Sequence, residues 1–143
     1  MEIATLTQMV ALARTRENRA AAELRSGLTA LQRAKAMNAQ LEEFGFEYRH
    51  AALNVQAGAQ GVSYVTDAFA FGQRLHATSY QQQAAIAEQG ERCQALQRDL
   101  IQVQHRSTIL QKMLDKELRE QRLAVERRAD REVEEVINSR LSR

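Results

Sequence analysis

Apolar residues recur every three or four positions through almost the whole chain, and a single short segment interrupts them. From Leu24 the positions Leu24, Leu28, Leu31, Ala34, Met37, Leu41, Phe44 and Tyr48 form a stripe with a mean step near 3.5. That step belongs to a helix lying along another helix. Leu6, Met9, Val10 and Ala13 carry the pattern upstream, with Thr5 or Thr7 as its N-cap. The interruption is Gly58-Ala59-Gln60-Gly61, followed by Val62 and Ser63, where two glycines and a potential N-capping serine mark a turn. Beyond it a second stripe runs through Val65, Phe69, Gly72, Leu75, Ser79, Ile86, Cys93, Leu96, Leu100, Val103, Leu110, Leu114 and Leu118 without a stop signal. These features predict an all-α fold, a long antiparallel two-helix coiled-coil hairpin forming one unit over residues 1–143. Its expected parts are a helix over 3–56, a turn over 57–63 and a helix over 64–140, the second about 115 Å long at ~1.5 Å per residue.

Folding the chain back at the turn sets a register. Tyr48 comes near Phe71, Phe44 near Leu75, Leu24 near Leu96, Met9 near Leu110 and Leu6 near Met113, so apolar side chains meet along most of the length. Gly45 falls level with Gly72, and Gly27 with Gly90. Each interior glycine costs a helix about 1 kcal/mol relative to alanine, and closer approach of the helices is a reason to keep it. The first helix runs out near Glu2, opposite Glu117, so the C-terminal helix overhangs from residue 118. From Lys112 to Arg143 seventeen of thirty-two residues are charged, nine basic and eight acidic, which describes a solvated helix held by short-range pairs such as Arg128 with Glu132.

Composition excludes several functions. Twenty basic residues nearly balance eighteen acidic ones, so no one-signed stripe for nucleic acid is expected. The Gly58–Gly61 spacing also matches a loop of some single-strand RNA binders, but that loop needs flanking strands. No apolar run is long enough to span a membrane and residues 1–20 lack a signal-peptide core, which points to a cytoplasmic protein without direct membrane insertion. The one cysteine, Cys93, is expected as a small packing residue. His50, His76 and His105 are too far apart to share a metal, no phosphate-binding loop or nucleophile elbow occurs, and neither catalytic residues nor cofactors are expected.

The segment Leu41-Glu42-Glu43-Phe44-Gly45-Phe46-Glu47-Tyr48-Arg49 resembles the region before the turn in the flagellar export protein FliJ family, with Glu-Tyr-Arg its most specific element. Phe71 and Leu75 fall where that family has a Phe and a Leu four residues apart, ahead of Gln81-Gln82-Gln83. Asp130-Arg131-Glu132-Val133-Glu134-Glu135 is similar to its acidic end motif, with Arg131 for the usual Lys and Glu134 for the usual Asp. The chain departs from the family at Thr78, often Ala, and lacks the ring some relatives carry at positions 65–67. The stalk proteins of virulence-type injectisomes share length and hairpin with weaker likeness.

The resemblance implies a cytoplasmic, non-enzymatic part of the type III export apparatus, peripheral to the inner membrane. In the family the paired helix ends enter the export ATPase hexamer, the other end touches the export-gate membrane protein, and a role with export chaperones is described. Carried onto this sequence, the gate contact falls on Leu41, Phe44, Tyr48, Phe71 and Leu75. The ATPase-ring contact falls on Arg119, Arg127, Arg128, Arg131, Glu134 and Glu135. Five of the seven aromatics, Phe44, Phe46, Tyr48, Phe69 and Phe71, flank the turn, more than a two-helix seam can bury. A generic coiled-coil scaffold is the competing function, and it would carry uninterrupted heptads with no central turn.

The hairpin reading predicts an elongated particle in small-angle scattering. A radius of gyration near the ~15 Å of a globule of this length would overturn it.

Overall fold

The computed structural model describes residues 1–54 and 61–142, and two helices account for nearly all of them. Helix α1 is Ile3–Asn54 and helix α2 is Gly61–Leu141, and they pack against each other with no strand among the described residues. This is the all-α two-helix hairpin that the periodicity predicts. The expected turn residues Ala57, Gly58, Ala59 and Gln60 lie outside the described residues, whereas Gly61, Val62 and Ser63 already belong to α2.

Local chemistry corrects both expected N-caps. Helix α1 starts at Ile3, and the Thr7 hydroxyl donates 2.8 Å to the Ile3 carbonyl, as a threonine inside a helix does. Thr5 and Thr7 are therefore helix residues, not caps. Ser63 likewise sits within the first turn of α2, and Gly61 opens that helix with φ +70°, a left-handed conformation that costs glycine nothing. The helices run on because nothing in the sequence stops them. There is no proline, and Thr15, Thr29, Thr66, Thr78 and Thr108 also satisfy their hydroxyls on the carbonyl four residues back.

Burial along α1 selects Leu6, Val10, Ala13, Glu17, Ala20, Leu24, Gly27, Leu31, Ala34, Asn38, Leu41 and Gly45, alternating steps of four and three. Along α2 the same alternation runs through Val65, Ala68, Gly72, Leu75 and Ser79, passes the exposed Gln82, and resumes through Ile86, Gln89, Cys93, Leu96, Leu100, Val103, Ser107, Leu110 and Leu114 to Glu117. This is a heptad seam one residue wide on each helix. The seam departs from the largest apolar residues: Leu28, Met37, Phe44 and Tyr48 lie beside it and are exposed, and Gly27, Asn38 and Gly45 take the inward places. Phe69 and Leu118 are exposed too. The reason is steric, because two helices that touch closely have room between them for small side chains and push large ones to the flanks.

The residues group into two compact units, Ala22–Arg98 and Met1–Ala21 with Asp99–Arg143. In the first, a Cβ on Gly45 would lie 3.2 Å from the Gly72 carbonyl oxygen, and one on Gly72 would lie 3.0 Å from the Gly45 carbonyl oxygen and 2.8 Å from Arg49 Cγ. The backbones touch there. The expected pairing of Gly27 with Gly90 does not occur: Gly27 faces Cys93 Sγ and Leu96 at 3.3 and 3.4 Å, and Gly90 has open space around it. Cys93 is buried as a small packing residue. One heptad from the glycine crossing on either helix lie Asn38 and Ser79, the latter 0% exposed, whose side-chain oxygens have no hydrogen-bond partner among the described residues. Such a polar layer weakens a seam and ties it to one register, as buried Asn does in coiled coils.

In the second unit Leu6, Val10 and Leu114 form the buried cluster, with Ile3 and Leu110 against it. Leu6 thus meets Leu114 rather than its exposed neighbour Met113. Arg14 Nη2 donates to Gln111 Oε1 at 2.6 Å along the rim.

Gly72→Ala should destabilise the hairpin, since the ~1–3 kcal/mol of overpacking exceeds the helix propensity gained. Gly90→Ala should stabilise it by up to ~1 kcal/mol. Urea unfolding followed by circular dichroism measures both, and a neutral or stabilising Gly72→Ala would show that the backbones do not touch.

Candidate functional site

Two surfaces carry the residues singled out by the sequence, one in each unit. In the first unit, the missing side chains of Gly45 and Gly72 draw the helices together, and the rings next to them meet: Tyr48 and Phe71 lie edge to face at 4.8 Å and 84°. Leu75 fills the space over Gly45, its Cβ 3.4 Å from where a glycine Cβ would be, and Leu41 is a half-buried seam residue. Arg49 bends back so that Nε donates 3.2 Å to the Gly45 carbonyl while its stem covers Gly72. Leu41 and Leu75 are therefore mainly structural, and the accessible rings are Phe44, Tyr48 (44% exposed) and Phe71 (41% exposed).

Other aromatics do not join this pair. Phe46, two residues from both Phe44 and Tyr48, points about 160° away at 100° per residue and stacks instead on His50 at 5.7 Å. Phe69 stands in the same relation to Phe71. The residues that periodicity alone passes over are Gly45 and Arg49, which with Gly72 of the second stripe set the spacing of the rings. The signal available for the glycines was their matched distance from the turn.

The second surface is the end of α2. The helix continues to Leu141, and every described residue from Leu118 to Ser142 is exposed. Arg127, Arg128, Glu134 and Glu135 lie within about 60° of Arg131 around the helix, whereas Arg119 is about 120° away. Five of the six expected contact residues thus share one charged face. Their exposure means that a partner can reach them without first separating the helices.

Among the described residues no three His, Cys, Asp or Glu side chains converge as a metal would require, and no helix is long and apolar enough to cross a membrane. A groove of about 410 Å³ between Met9, Leu12, Val103 and Leu110, rimmed by Arg16 and Arg106, opens along the helix pair and holds no nucleophile. No protein-family model, curated protein or solved structure matches the chain.

Replacing Tyr48 and Phe71 together by alanine should leave the helical circular dichroism signal nearly intact and cost roughly 2–4 kcal/mol, since an edge-to-face contact contributes ~0.5–1.5 kcal/mol and the rings, 44% and 41% exposed, also lose partial burial. Loss of the cooperative unfolding transition would make the rings core residues and remove them from the binding surface.

Proposed function

We propose that the protein is a non-enzymatic coiled-coil component of the bacterial flagellar type III export apparatus, a stalk-like partner of the export ATPase hexamer that also reaches the export-gate membrane protein. The observation that carries this reading is the continuation of α2 beyond the seam. Glu117 is the last inward residue, yet the helix runs on to Leu141 with all its side chains in solvent. A bare charged helix of this length lacks the tertiary packing that normally stabilises a helix, so an external partner is its natural complement. The likeness of Leu41–Arg49, Phe71 with Leu75 and Asp130–Glu135 to the FliJ family supports the choice of partner.

The two surfaces suit different tasks. The charged face around Arg131 offers polar contacts of both signs that exchange readily, as a helix turning or rocking inside a ring needs, and screening by salt weakens them. Exposed Phe44, Tyr48 and Phe71 offer apolar anchors of the kind that dominate protein interfaces. The assignment places the protein in the cytoplasm at the inner-membrane export site, where export chaperones are further partners.

Removing residues 118–143 should leave thermal unfolding of the hairpin nearly unchanged and abolish stimulation of the cognate ATPase. Reversing Arg127, Arg128 and Arg131 to glutamate should weaken stimulation in part, and added salt should weaken the intact pair. Full stimulation by the truncated chain would sink this reading.

A further inference from the structure

The exposed end of α2 has a second face that the charged one does not use. Ala129, Val133, Val136 and Ile137 line one shallow hollow together with Glu132, and Val133 and Ile137 are 57% and 50% exposed. This row is not a continuation of the seam. Val133 lies about 160° round the helix from Glu117, the last seam residue, and the seam's own phase continues as Gln121, Ala124, Arg128, Arg131, Glu135 and Asn138. The side of α2 that faces α1 therefore becomes polar, and the apolar row looks away from it.

We propose that this row is a self-association surface: the C-terminal segments of two copies of the chain pair antiparallel, with Val133 on the two-fold axis. The pattern is its own antiparallel complement. With Val133 at the centre, Ala129 of each copy faces Ile137 of the other, and Glu126 faces Arg140 of the other at both ends of the contact. Glu126 and Arg140 each lie about 20° from Val133 around the helix, so both reach the contact line. A parallel alignment would set glutamate against glutamate and arginine against arginine.

Spacing by four residues also suits the contact. Side chains at Ala129, Val133 and Ile137 form an i±4 ridge, and two such ridges interdigitate at a crossing of about −50°, with the small Ala129 allowing close approach. A two-fold contact of this kind is isologous and closes on itself, so it yields dimers and no filament. Arg127, Arg128, Arg131 and Glu135 stay on the far side of each helix, and the proposal stands whether or not that face meets an ATPase.

Sedimentation of the full-length protein over a concentration series should show a weak monomer–dimer equilibrium. Val133→Asp should make the chain monomeric with an unchanged circular dichroism spectrum, because the site is exposed. Glu126→Arg and Arg140→Glu should each weaken the dimer several-fold, and the two together should restore it. In a Cys93→Ser background, mild oxidation should cross-link the Val133→Cys chain to itself and leave the Val125→Cys chain uncross-linked. The proposal is overturned by a monomer at every concentration, by a dimer that Val133→Asp leaves intact, by a double charge reversal weaker than either single one, or by cross-linking at Val125→Cys equal to that at Val133→Cys.

Discussion

Two helices can share only a narrow strip, and that limit governs nearly everything else in this protein. Each helix contributes one inward residue per half-heptad, so the buried set is small, and residues such as Gly27, Ala34, Asn38, Gly45, Ser79 and Cys93 occupy places that a globular core would give to leucine or phenylalanine. At Gly45 and Gly72 the strip narrows until backbone meets backbone. Stability comes from length more than from depth, with one compact apolar cluster at Leu6, Val10 and Leu114.

A narrow seam has a consequence for function. Large apolar side chains that cannot enter it are displaced to its flanks, where they remain in water. Phe44, Tyr48 and Phe71 are in this position, and the same close approach that excludes them brings Tyr48 and Phe71 into edge-to-face contact. Arg49, next to Tyr48 in α1, is tied to the Gly45 carbonyl. A surface of this type has its shape set by the packing beneath it, which favours recognition by lowering the ordering cost of binding.

The end of α2 has the opposite character. Past Glu117 no seam partner constrains the residues, and the helix sorts them by face alone: Arg127, Arg128, Arg131, Glu134 and Glu135 on one side, Ala129, Val133, Val136 and Ile137 on the other. The charged side fits a salt-sensitive, exchangeable contact, and the apolar side fits a contact that excludes water. One helix thereby presents two separable surfaces.

The sequence by itself determined the helices, their number and their ends to within a few residues, because the absence of proline and a 3.5-residue apolar period leave little choice. It also determined the point at which α2 loses its partner, since folding the chain back at the glycine turn sets Glu2 opposite Glu117 and leaves nothing to face the residues beyond. The phase of the α1 seam was only partly legible. Gly27 beside Leu28, Asn38 beside Met37 and Gly45 beside Phe44 each offer two candidates one residue apart, and hydrophobicity selects the larger, whereas close packing of two helices admits the smaller. Only the tertiary structure could decide that, and with it which of the aromatic rings near the turn remain outside, because the choice depends on the distance between the helices and not on the character of either residue.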